Sequence, residues 1–245
     1  MLNSSEISLM RLSGNILSNV LKEIKEFCII GNSTLAISKK AEEIIRNYGG
    51  EPAFLNYKGF PESICISIND TLIHGIPKKD IFLKDGDIVS IDVGVVYKGY
   101  YTDACRTFFV GHVSDQAQKI VKIAEECFFN AVNLIKPGVH LGDISYTIGQ
   151  HAQANGFSIP RDFTGHGIGK NLHEPPFIPN YGVKGTGVIL REGMCLAIEP
   201  MIAAGTNEVK ILNDGWTVKM LDGKLSAHYE NTVLVTNDGY EILTK

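Results

Sequence analysis

Apolar residues recur at helical spacing over residues 5–26, where Met10, Leu17, Val20, Leu21 and Ile24 share a face. A second helical pattern covers 34–48 and is stopped by Gly49-Gly50. Residues 51–77 become extended and turn-rich, with 57–61 reading as a loop and 63–68 as a strand ahead of Asn69-Asp70. Residues 87–110 place strong β formers on both sides of Lys98-Gly99 and read as a hairpin. A two-residue loop there sets Gly94 opposite Asp103, so that Asp92 and Asp103 lie diagonally on one sheet face with Gly94 leaving room between them.

After Gly111 the pattern starts again, with helices over 115–134 and 141–155 separated by Lys136-Pro137-Gly138. Strands are expected at 187–190, 194–202, 217–221 and 225–235, with Asp222-Gly223 as a hairpin turn. An offset of 107 residues aligns Gly31 with Gly138, Ile37 with Ile144, Ser38 with Ser145 and Gly49 with Gly156. The chain therefore reads as a tandem duplication, halves 1–111 and 112–245, each with helices first and strands later. The expected class is α+β, a single domain over 1–245 in which two related sheets meet around a shared cleft, a place where sites commonly form.

Composition narrows the function classes. The chain has 245 residues, 44% of them hydrophobic and 20% charged, and a net charge of -4, which gives no electrostatic footprint for nucleic acid. Its five cysteines are widely spaced without a C-x-x-C pair, so neither a disulfide framework nor a zinc finger is indicated. Residues 1–20 lack an apolar leader core and no long apolar run occurs, so a cytoplasmic, membrane-free protein is expected.

Candidate chemistry begins with carboxylates set among apolar strand residues. A charged group buried in a strand must be exposed, hydrogen-bonded or liganding a cation. Asp92 and Asp103 taken alone also fit a solvated edge. Glu199, in Cys195-Leu196-Ala197-Ile198-Glu199-Pro200, and Glu230, in Tyr229-Glu230-Asn231, repeat the anomaly. His166 lies among the glycines of Thr164-Gly165-His166-Gly167-Ile168-Gly169, which allow close approach of the backbone. Four carboxylates and one imidazole can fill two divalent-metal sites, with a structural ion-pair network as the main competitor. The set is hard and thiolate-free and leaves manganese, iron, cobalt and zinc open. His74 and His173 read as loop histidines on their own residues.

Taken together, CISINDTLIHGIP, SIDVGVVYKGYYTDACRTF, GHGIG with HEPP downstream, AIEPM and DGWTVKMLDGKLSAHYENTVLVT resemble type I methionine aminopeptidases. The resemblance runs over essentially the whole chain and implies a pita-bread metallopeptidase fold, with helices outside two pseudo-symmetric halves. It implies two divalent ions held by Asp92, Asp103, His166, Glu199 and Glu230, with Asp103 and Glu230 bridging. A metal-activated water would attack the first peptide carbonyl. Glu199 would also handle the proton of that water, His173 would stabilise the oxyanion and His74 would orient the scissile amide. Tyr57, Phe60, Cys65 and Trp216 match the methionine pocket, where sulfur favours aromatic edges. The chain departs from the family pattern at Phe54, Phe60 and Leu172, where Cys, Tyr and Phe are expected, which bears on pocket shape.

The implied activity is removal of amino-terminal methionine from nascent chains whose second residue is small, by a monomer in transient contact with the ribosome. Rival readings are a proline-directed peptidase of the same fold and a non-catalytic binding module. The first is disfavoured because the chain starts at the first helix of the catalytic unit, and the second because all five ligand positions are kept.

Overall fold

The computed structural model describes residues 1–245. Two helices come first, α1 (Ser4–Ile24) and α2 (Thr34–Asn47), each started by a side-chain cap, Asn3 and Ser33 respectively. Short strands β1 (Glu51–Pro52), β2 (Cys65–Ile68) and β3 (Thr71–Ile73) precede the long hairpin β4 (Ile88–Tyr97) and β5 (Tyr100–Phe109). Helices α3 (Asp115–Val132) and α4 (Leu141–Ala154) follow. The remainder is β6 (Thr164–Gly167), β7 (Glu174–Pro179), β8 (Cys195–Ile198), β9 (Met201–Ala203), β10 (Val209–Ile211), β11 (Val218–Met220), β12 (Ser226–His228), β13 (Asn231–Val235) and β14 (Tyr240–Ile242).

In the first half β4 pairs with β5 on one edge and with β2 and β1 on the other, all antiparallel. Val89, Ile91, Val93 and Val95 alternate along β4 and are fully buried, in one core with Leu17, Val20 and Ile24 of α1 and with Ile37, Ala41 and Ile45 of α2. The period of two therefore sends Ser90, Asp92 and Gly94 to the opposite face. The second half builds a five-stranded sheet in the order β14-β13-β8-β6-β7. Its core joins α3 and α4, through residues such as Ile120, Phe128, Ile144 and Ile148, to Leu196, Ile198 and Val233 of the sheet. Helices thus cover the outer faces and leave the inner faces to meet. No helix is long and apolar enough to cross a membrane.

Element starts recur at one spacing. The 14-residue helices α2 and α4 begin at Thr34 and Leu141, and β4 and β8 begin at Ile88 and Cys195, both pairs 107 positions apart.

Several strand expectations are corrected. Residues 187–190 form only an isolated bridge, between His140 and Ile189. The strands expected at 194–202 and 225–235 are each divided, at Glu199-Pro200 and at Tyr229-Glu230. Asp222-Gly223 is not a hairpin turn, because β11 pairs with β10 and β3 whereas β12 pairs with β9. The Asp222 carboxylate instead accepts the Thr206 and Lys224 amides.

Candidate metal centre

The hairpin delivers its two aspartates in the expected register, Gly94 opposite Asp103 and Asp92 opposite Cys105. The space at Gly94 is not left open between the carboxylates, however. A Cβ there would stand 2.5 Å from Phe54 Cε1 and 2.9 Å from the Ala53 Cβ, so the missing side chain admits Phe54. Asp103 is fixed from the other half of the chain: its amide donates to Thr232 Oγ1 at 2.9 Å and its carbonyl accepts from the same hydroxyl at 2.9 Å.

His166 comes from β6, pressed between β7 and β8. A Cβ at the neighbouring Gly165 would stand 2.4 Å from the Ala197 carbonyl oxygen, so glycine is what allows the strands to approach there. Glu199 and Glu230 do not lie inside strands as expected. The ladder pairs Ile198 with Asn231 and Met201 with His228, and the same register continued across the gap sets Glu199 opposite Glu230. The interruption has two causes. Pro200 carries no N–H, and the backbone of Glu230 turns to the first half instead. Its amide donates to the Cys105 carbonyl at 3.1 Å, and the Cys105 amide donates to its carbonyl at 3.3 Å. Arg106 reinforces this seam, donating to the Cys105 carbonyl at 2.9 Å, the Glu230 carbonyl at 2.6 Å, Asn231 Oδ1 at 2.7 Å and the Thr244 carbonyl at 3.1 Å.

The five residues expected to act together meet in one cavity of about 290 Å³, which they line with His74 and His173. Donor atoms of Asp103, His166 and Glu230 all lie within 4.8 Å of one another, as do those of Asp92, His228 and Glu230. His166 Nε2 is 3.5 Å from Glu199 Oε1. His166 Nδ1 lies 2.9 Å from the Gly167 carbonyl, and a proton held there leaves the Nε2 lone pair free. Asp103 is only 4% exposed, which removes the solvated-edge reading. Ion pairing fares no better: Arg106 directs its donors to carbonyls and an amide oxygen, and Asp92 Oδ1, Asp103 Oδ1 and Glu230 Oε1 are buried without a hydrogen-bond partner. Orphaned acceptors are costly unless a cation or proton meets them. Four oxygen donors and one or two imidazoles converge with that need, and they fit a divalent-metal centre.

Electrostatics agree. Burial pushes the Asp92 carboxyl up to about 7. Burial, and then the neighbouring carboxylates, hold Asp103, Glu199 and Glu230 well above the usual carboxylate range. Burial depresses His166 to about 4 and His228 to about 3, so both imidazoles are neutral at pH 7.

The pocket residues also converge. Tyr57, Phe60, Cys65 and Trp216 line the cavity, as do Phe54 and Leu172. Phe60 meets Trp216 edge-on at 5.3 Å, and His74 meets Trp216 and Phe163 edge-on at about 6 Å. His74 follows β3 in the left-handed region with φ 56°, an unusual conformation for a non-glycine residue. The Tyr57 hydroxyl lies 2.9 Å from His173 Nδ1, and the His166 and His173 rings are 4.2 Å apart. Sequence reasoning missed His228 at the centre and Asp162 and Phe163 in the cavity wall. His228 had a signal: it precedes Glu230 by two, the strand period that shares a face.

Residues 8–237 match the model of metallopeptidase family M24. A methionine aminopeptidase from Clostridium perfringens is 51% identical over 242 residues, covering 99% of this chain and 97% of that protein. The crystal structure of methionine aminopeptidase from Thermotoga maritima superposes with a TM-score of 0.98 at 42% identity, covering 100% of this chain and 98% of that one. Prolidase from Pyrococcus furiosus superposes with a TM-score of 0.82 at 26% identity, and this chain spans 64% of its length. The fold is therefore the pita-bread fold, and the chain belongs to metallopeptidase family M24, within it to the methionine aminopeptidases.

Proposed function

We propose that this chain removes amino-terminal methionine from polypeptides whose second residue is small, and that Asp92, Asp103, His166, Glu199 and Glu230 would hold two divalent ions. The observation that carries the reading is the buried cluster of unpartnered carboxylate oxygens at the floor of an aromatic cavity. The donor chemistry suits manganese, iron, cobalt or zinc. When bound, such ions neutralise the carboxylates, polarise the scissile carbonyl and make water nucleophilic near neutral pH.

The protein's own groups do the rest. Glu199, whose carboxyl is pushed up by burial, takes the proton of the attacking water and returns it to the leaving amine. His173, oriented by the Tyr57 hydroxyl, donates to the developing oxyanion. His74, fixed among Phe163 and Trp216, orients the scissile amide. The methionine side chain enters among Phe60, Cys65 and Trp216, where a thioether meets ring edges.

A proline-directed specificity is disfavoured, since relatives of 43–51% identity over nearly the whole chain carry the methionine aminopeptidase name. Metal-reconstituted protein is expected to cleave Met-Ala peptides and to leave Pro-Ala and acetyl-Met-Ala intact. Preferential cleavage of Pro-Ala, or no cleavage with any of the four metals, overturns the reading.

A further inference from the structure

The Cys105–Glu230 amide pair lies at the centre of a local two-fold relation between the halves. On one side of it, Asp103 exchanges backbone hydrogen bonds with the Thr232 hydroxyl. On the other, the Thr107 hydroxyl donates to the His228 carbonyl at 2.8 Å and accepts the His228 amide at 3.4 Å. His228 thus occupies in the second half the position that Asp103 occupies in the first. Its side chain is 2% exposed, and its Nε2 has no hydrogen-bond partner. That nitrogen faces Glu230 Oε2 at 3.5 Å and Glu199 Oε2 at 3.7 Å, and a ring nitrogen of His228 lies within 4.8 Å of an Asp92 oxygen.

These separations are long for hydrogen bonds, but they suit neighbours around one ion. Atoms about 2.1 Å from a metal stand roughly 3.0 Å apart in an octahedron and 3.4 Å apart in a tetrahedron. His166 Nε2 and Glu199 Oε1, both in the expected ligand set, show the same 3.5 Å spacing. We propose that His228 is a sixth donor of the centre, binding through Nε2 the ion held by Asp92 and Glu230. The inference rests on the dinuclear reading above and goes beyond its five ligands. A second imidazole beside the four carboxylates shifts the preference of the centre toward iron, cobalt or zinc over manganese.

The test uses the full chain stripped of metal and loaded with two equivalents of Co(II). Paramagnetically shifted imidazole N–H signals in the proton NMR spectrum count the ligating histidines. Two such signals are expected, falling to one in His228→Gln, with the second equivalent of Co(II) bound roughly 10–100-fold more weakly. A single signal from the unaltered protein with both equivalents bound removes His228 from the centre and leaves the dinuclear reading standing. That count requires no variant to fold. Failure to take up a second equivalent overturns both together.

Discussion

Glu199 and Glu230 face one another across an interruption shared by both strands of their ladder, while the register is preserved on either side. Burial raises the proton affinity of both, and the nearby carboxylates add to it, Glu199 among those acting on Glu230. Without metal, protons fill part of the role of the cations.

Metal binding is therefore coupled to pH with a definite sign. A carboxyl raised to about 7, as Asp92 is, keeps most of its proton at pH 6 and has lost most of it by pH 8. Imidazoles depressed to about 4 or below are neutral across that range and release nothing. Affinity for Co(II) or Mn(II) is expected to fall as pH is lowered from 8 to 6. Calorimetry at pH 7 in buffers of different ionisation enthalpy should show net proton release. Binding heats that do not vary with the buffer contradict the raised carboxyl pKa values.

Asp103→Asn keeps the shape of the side chain but removes a buried carboxylate that sits beside Glu230 and Asp92. Loss of kcat on Met-Ala by at least about 100-fold is expected, together with weaker metal uptake. Near-normal turnover in this variant removes Asp103 from the site.

Gly94→Ala places a methyl group 2.5 Å from a Phe54 ring carbon and 2.9 Å from the Ala53 Cβ. Overpacking of this kind costs about 1–3 kcal/mol, read from urea denaturation. Phe54 must also shift within the cavity wall, so KM for Met-Ala should rise. An unchanged urea midpoint and unchanged KM show that Phe54 is not held by this contact.

Arg106→Ala removes four hydrogen bonds at the seam between the halves. A loss of about 3 kcal/mol is expected in denaturant titration of the metal-free protein. Arg106→Lys should recover only part of it, because a single ammonium lacks the planar fork that serves these four acceptors. Full recovery by lysine rules out that geometric explanation.

Much of the centre is legible in the sequence because it follows from local rules. The two-residue loop at Lys98-Gly99 fixes which residue faces Asp103, and the alternation of Val89, Ile91, Val93 and Val95 fixes which way Asp92 points. The break at Glu199 has a local cause in Pro200, but the one at Glu230 obeys no local rule of that kind. It depends on bonds to Cys105, 125 positions earlier in the sequence. β7 escaped notice because Glu174-Pro175-Pro176-Phe177-Ile178-Pro179 reads as anything but a strand, yet as an edge strand it tolerates proline. Asp222-Gly223 carries a strong hairpin signal that tertiary pairing overrides.

The amide exchange between Cys105 and Glu230 also bears on the order of folding. It closes a loop of more than a hundred residues, and contacts of that separation come after local ones, since the chain entropy lost in closure must first be offset. Each half can collapse on its own helices before the seam forms. The proposed centre is then a late product of folding, since Asp92 and Asp103 belong to the first half and His166, Glu199 and Glu230 to the second.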